Sequence, residues 1–286
     1  MKPILVALAR VTGYFAAVFA VGALALVPMA MALGDLDSIQ GRLEILVIGV
    51  TFLAGAAVVT AGMAWIGKSP LARSGWPDRR AGARGFAAGT LVGLAMAGGV
   101  LALTWAAGGA RLSISGEGLS QYLRYSVPLV GVLLVAAVAE EWIFRGYPLA
   151  ALSTVTSRGW ANVLVAVVFT AGHWGGSGWN SLTAINIFLF SLVNGSVRFS
   201  RGGVPAASGF HFAWNSTLVL AGAIMTGDEG LRVPMVHFSG QGPDWLSGGA
   251  FGPEGAIATT VVTTVGIALI WRYWLSGRLS RIGARR

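Results

Sequence analysis

The sequence predicts an all-α, polytopic helical membrane protein of about eight transmembrane helices, forming a single transmembrane domain over residues 1–286. Two bulk observations carry this. Of the 286 residues, 55% are hydrophobic and only 11% charged, where soluble domains carry roughly 25% charge. The apolar residues also form long continuous runs with a mean hydropathy of +0.71. Such runs do not alternate with period two, which argues against a β-barrel.

Eight segments read as spans, at about 11–33, 43–67, 86–109, 125–150, 160–175, 182–199, 204–226 and 256–275. The first, second, third, seventh and eighth supply the ~20 apolar residues that a bilayer crossing needs. Ala30-Met31-Ala32 resembles a signal-peptidase site, but the apolar stretch before it exceeds the ~7–15 residues of a signal peptide, so the first span is read as uncleaved. The fourth is long enough but holds Glu140 and Glu141 side by side. The fifth and sixth are shorter and end on Gly175-Gly176 and Asn194-Gly195, which suits segments that tilt, break or stop inside protein. Between spans, residues 68–85 read as a basic loop, a topology signal in contact with anionic lipid. Residues 227–255, rich in Gly and Pro, read as an ordered external loop or half-buried cap.

Charge then separates the loops by side. Lys2, Lys68, Arg73, Arg79, Arg80, Arg84, Arg158, Arg198, Arg201, Arg278, Arg281, Arg285 and Arg286 fall on one side, thirteen of the 20 basic residues. Asp35, Asp37, Glu44, Glu117, Asp228, Glu229, Asp244 and Glu254 fall on the other. The positive-inside rule places both termini in the cytoplasm. An Ala/Gly-rich, basic chain of this kind suits a bacterial inner or cell membrane. The net charge of +9 follows from this partition and not from a nucleic-acid patch, because the basic residues form no single aromatic-interleaved surface. With no Cys, the chain has no disulfide, thiolate metal site or Cys nucleophile.

The chemistry concentrates in the fourth, fifth and seventh spans. An intramembrane carboxylate costs about 2.5–3.5 kcal/mol on insertion scales, so Glu140 and Glu141 mark a functional or strongly structural place. On a helix Glu141 and Arg145 are i,i+4 neighbours, whereas Glu140 points about 100° away. Arg145 therefore neutralises Glu141, leaving Glu140 to face a cavity. Phe169-Thr-Ala-Gly-His173 closes the fifth span, with small residues around the imidazole. His211-Phe-Ala-Trp-Asn215 places a His and an Asn on one helical face, a pair able to hydrogen-bond a developing oxyanion. Glu140 suits a general base on water, and His173 suits a water-orienting or proton-passing group. Ser208 and Ser177 are weaker nucleophile candidates, since neither sits in a nucleophile elbow. His237 falls in the external loop and reads as incidental. The same residues also suit buried ion pairing, interhelical hydrogen bonding or a proton relay.

Glu140-Glu141-x-x-x-Arg145, Phe169-x-x-x-His173 and His211-x-x-x-Asn215, in that order, resemble the CPBP (Abi) intramembrane proteases, which include the type II CAAX prenyl endopeptidases. The resemblance spans residues 140–215, within a catalytic core of about 125–226, and the region before residue 120 carries none of it. It implies a helical membrane peptidase with Glu140 and His173 as the catalytic pair, His211 and Asn215 supporting the oxyanion, and Glu141, Arg145 and Phe169 supporting the site. The implied partners are a membrane-associated or lipidated peptide or protein substrate and membrane lipid, with no nucleic acid. No cofactor is favoured. Zn²⁺ on Glu140, His173, His211 and Asn215 is the alternative, although no His-Glu-x-x-His helix is present. The competing functions are a non-catalytic scaffold or immunity protein and a proton-coupled transporter, and no inverted repeat of the transporter kind is visible.

Overall fold

A computed structural model describes residues 2–33, 41–66 and 75–275. Helices run over α1 (Lys2–Leu33), α2 (Gly41–Ile66), α3 (Arg79–Ala106), α4 (Leu119–Arg145), α5 (Tyr147–Leu152), α6 (Arg158–Gly172), α7 (Ser181–Arg198), α8 (Gly203–Leu220), α9 (Asp244–Ser247) and α10 (Ile257–Leu275). Seven of the eight expected segments overlap a single helix each, and the fourth divides between α4 and α5. Among the described residues, four helical stretches are long and apolar enough to cross a membrane: Lys2–Val27, Ile45–Ile66, Arg79–Ala106 and Leu119–Leu152. Arg158–Gly172 and Ile257–Arg272 are apolar but shorter. α7 and α8 have 18 residues each, a length of about 27 Å. α8 is buried on nearly every face, as an interior helix is.

Several boundaries differ from expectation for local reasons. The loop expected at 68–85 gives way to helix at Arg79, because the Asp78 carboxylate accepts hydrogen bonds from the Arg80 and Ala81 amides at 2.9 and 3.0 Å and caps α3. Residues 67–74 of that loop lie outside the described residues. The fourth segment is interrupted at Gly146, after which α5 starts with Pro148 in its first turn. α6 ends at Gly172, with His173 as its C-cap. The Ala30–Ala32 stretch is helical backbone.

The all-helical expectation also omits a small ribbon. β1 (Ala110–Ile114) pairs antiparallel with β2 (Val236–Gly240), in the register Ala110↔Gly240 to Ile114↔Val236. His237 lies in this ribbon opposite Ser113. Residues 227–255 form an ordered cap whose own Phe251 and Glu254 are buried. Asn186 of α7 holds the cap by donating from Nδ2 to the Glu254 and Ala256 carbonyls at 2.7 and 2.9 Å.

Helix packing is closest between α3 and α8. A Cβ on Gly85, Gly89 or Gly93 would overlap the backbone of Gly202, Ala206 or Phe210. These three glycines at i, i+4 and i+8 let two backbones touch, the small-residue packing that membrane helices use. α2 packs on α4, α1 on α2, α6 on α7, and α10 against α7 and α3. Of the motif-bearing helices, α8 is enclosed, whereas α6 packs one face on α7 and leaves Trp160, Val167 and Val168 exposed on the other.

Candidate active site

The site begins on the last two turns of α4. Glu141 and Arg145 are both fully buried, and Arg145 Nη1 lies 3.1 Å from Glu141 Oε1. Arg145 Nη2 donates to Ser191 Oγ of α7 at 2.8 Å, and its guanidinium carbon lies 4.4 Å from the centre of the Phe169 ring. A second bond was not foreseen from the sequence: His211 Nδ1 of α8 lies 2.8 Å from the same Glu141 Oε1. Glu141 therefore joins α4 to α8 directly and to α7 through Arg145. Buried charges persist only when paired and hydrogen-bonded in this way.

The two cavity histidines have fixed tautomers. A carbonyl oxygen only accepts, so His173 Nδ1, 2.8 Å from the Phe169 carbonyl, carries a proton and leaves Nε2 as the second site. His211 Nδ1–H donates to the Glu141 carboxylate in the same way. His211 then donates from Nε2 only as an imidazolium, with Glu141 as its counter-charge. The Phe169 ring packs 4.4 Å from the His173 ring and 6.3 Å from the His211 ring, between the two imidazoles.

Glu140, His173, His211 and Asn215 all line one cavity of about 440 Å³. Glu140 Oε2 is buried and has no hydrogen-bond partner in the protein. Leu133, Ile187 and Phe190 form an apolar wall, and Phe19, Ile45 and Phe52 from α1 and α2 form another. Glu141 and Arg145 stand behind His211 and do not line this cavity. Ser208 is buried and does not line it, and neither does Ser177.

Sequence reasoning missed Glu254, which lines the cavity from the cap. Its carboxylate accepts from Trp214 Nε1 at 3.0 Å and from the Thr226 amide at 2.8 Å. Burial holds this carboxyl above the usual carboxylate range, against the opposing effect of those two hydrogen bonds and of the two cavity histidines. The Thr226 bond has a structural role as well. Among the described residues, Thr226 (φ 49°) and Met235 (φ 74°) are the non-glycine residues with positive φ. The amide of each donates to a carboxylate, Glu254 for one and Glu117 for the other. A lone Glu in a Gly/Pro-rich loop offers no pattern by which to find it.

The donors do not assemble a zinc site as arranged. Among the described residues, no three His, Asp or Glu side chains stand close enough to share one ion.

Residues 123–217, from the first turns of α4 through most of α8, match the family model described as type II CAAX prenyl endopeptidase Rce1-like. The matched segment contains Glu140, Glu141, Arg145, Phe169, His173, His211 and Asn215. The match supports the CPBP/CAAX protease family, and with the long apolar helices it supports an integral membrane protein. No curated protein sequence matches the chain.

Proposed function

We propose that this chain is an intramembrane endopeptidase that hydrolyses a peptide bond of a membrane-associated or lipidated peptide, using a water activated by Glu140. The observation that carries the reading is convergence: four polar side chains from three separate helices line one cavity whose remaining wall is largely apolar. In the proposed reaction, Glu140 takes a proton from water as its oxygen attacks the scissile carbonyl carbon. Charge then develops on the carbonyl oxygen, where the Asn215 amide donates a hydrogen bond, joined by His211 Nε2 in its imidazolium form. His173 Nε2 relays the proton to the leaving nitrogen. The C–N bond breaks, giving a carboxylate and an amine.

Glu141 and Arg145 act as positioning residues in this scheme. Glu141 fixes the His211 ring by its 2.8 Å bond, and Arg145 balances the Glu141 charge. The flank of Phe19, Ile45 and Phe52 suits apolar side chains or a lipid tail on the peptide. No step is routed through a metal.

The reading includes eight spans in a bacterial cell membrane with both termini cytoplasmic, as the basic-residue asymmetry implies. The chain lacks Cys, so single cysteines at positions 75 and 283 test the orientation. An impermeant external thiol reagent leaves both unlabelled in intact cells, and labelling of either would contradict it.

A scaffold or immunity role is the second reading, favoured by the buried Arg145–Glu141–His211 network, which ties helices together whether or not chemistry occurs. The two readings separate on purified protein given quenched peptides with and without a lipid anchor, with products mapped by mass spectrometry. The enzyme reading predicts defined cleavage that survives a chelator. Folded protein that cleaves none of them supports the scaffold, and cleavage abolished by the chelator overturns the metal-independent scheme.

A further inference from the structure

We propose that the cleft between the start of α1 and α5 binds the phosphate headgroup of an anionic phospholipid. The cleft has a volume of about 370 Å³ and is lined by Lys2 and Arg10 from α1 and by Tyr147 and Thr154 at and beyond α5. No Asp or Glu lines it, so two cations face one cavity without an acidic partner there. Its remaining wall is apolar, with Val6 and Ala151 on opposite sides. A soluble anion would satisfy the charges but leave the apolar wall wet. A phospholipid satisfies both, the phosphate meeting the cations and the glycerol and upper acyl carbons meeting the wall.

Depth supports the same occupant. From Arg10 to Leu33, the last residue of α1, the helix rises about 35 Å at ~1.5 Å per residue. The hydrocarbon layer is about 30 Å thick, so a span over 11–33, as the sequence reads it, puts Arg10 at the polar boundary, where lipid phosphates lie. Lys2 lies two turns further out. A cation two turns inside an apolar helix is stable when its long side chain reaches such an anion.

The opposite wall is built firmly. Tyr147 stacks on Tyr14 with ring centres 5.3 Å apart, and the fully buried Tyr14 hydroxyl lies 3.3 Å from Thr60 Oγ1 of α2. α5 is therefore anchored to α1, and the cleft between them keeps its shape. The cleft is separate from the Glu140 cavity and shares no lining residue with it.

The test is native mass spectrometry of the full-length protein from nanodiscs containing phosphatidylglycerol or phosphatidylcholine. Wild type retains phosphatidylglycerol and releases phosphatidylcholine. Lys2→Gln with Arg10→Gln loses roughly fivefold in affinity per charge and hence about twenty-five-fold together, so the retained lipid disappears. Ala151→Phe fills the cleft while keeping both charges and loses the lipid equally, which covers the case in which the double variant fails to fold. Neither variant touches the Glu140 cavity, so cleavage of soluble peptide by the folded variants is unchanged. Retention of phosphatidylglycerol by either folded variant, or equal retention of phosphatidylcholine by wild type, overturns the proposal. Stabilisation of delipidated protein by inorganic phosphate as large as that by phosphatidylglycerol reassigns the cleft to a soluble anion and overturns it as well.

Discussion

Glu141→Gln removes a charge that two buried groups share, and the structure sets the size of the loss. Glu141 Oε1 accepts from Arg145 Nη1 at 3.1 Å and from His211 Nδ1 at 2.8 Å, with no solvent in reach of the carboxylate or the guanidinium. Gln can keep both contacts on its one oxygen, since Oε2 has no partner in the protein, but Arg145 is left as a buried cation without its counter-charge. Breaking such a pair costs about 3–5 kcal/mol. Arg145 keeps its 2.8 Å bond to Ser191 Oγ, so the low end, near ~3 kcal/mol, is expected here. At roughly 2–4 °C per kcal/mol for a chain of this size, the melting temperature falls by about 6–12 °C. A thermal melt of purified protein in detergent reads this directly. The double variant Glu141→Leu with Arg145→Met removes both charges together and recovers part of the loss, because an apolar pair of similar volume substitutes well for a buried ion pair, while His211 Nδ1 is left without its acceptor. Turnover falls in Glu141→Gln even where the protein is folded, since His211 keeps an acceptor for Nδ1–H but loses the counter-charge of its imidazolium form. Wild-type melting of Glu141→Gln, or a double variant no more stable than the single one, would refute the account of this network.

Three further outcomes follow from other parts of the structure. Asn215→Ala keeps the fold and lowers turnover about 10²–10³-fold if Asn215 donates to the oxyanion, measured as kcat on a quenched peptide at matched folded fraction. Gly89→Val drives a side chain into the Ala206 carbonyl and destabilises by about 1–3 kcal/mol or more, whereas Gly98→Val, in open space on the same helix, leaves the melt nearly unchanged. Glu117 is held below the usual carboxylate range, chiefly by the Met235 amide and next by the Ser115 hydroxyl. A depressed carboxylate stabilises above its unfolded pKa of 4.5 and loses that contribution as pH falls through its lower folded value. The protection of the Met235 amide, taken relative to its intrinsic exchange rate at each pH, therefore falls in that acid window, and Glu117→Gln removes this pH-dependent change in protection.

The helices were legible in the sequence because each is a long apolar run, and the ends that moved did so through local chemistry. Asp78 capped α3 seven residues earlier than the apolar pattern suggested, and Gly146 split the fourth run into α4 and α5. The β1–β2 ribbon was not legible, since its two five-residue strands lie more than a hundred residues apart and neither carries a strong strand signal. For the site, the i,i+4 spacing located Glu141 with Arg145 and His211 with Asn215, because helical geometry alone puts such pairs on one face. The Glu141–His211 bond joins residues 70 apart, and no local spacing predicts which of two adjacent carboxylates a distant histidine will meet. Glu254 escaped for the same reason: its role depends on the cap folding back over Trp214 and Thr226. The α3 glycines form the contact surface for the helix that carries His211 and Asn215, a pairing that an Ala/Gly-rich composition alone does not reveal.

The account rests most directly on Glu140 as the base. The deciding measurement is the single-turnover cleavage rate of Glu140→Gln relative to wild type, in nanodiscs at equal folded fraction. Gln preserves the shape of the side chain but cannot take the proton of the attacking water, so the rate falls by about 10²–10⁴ while the melting temperature stays within a few degrees. A rate equal to wild type in folded Glu140→Gln would contradict the account and leave the proposed reaction without a base.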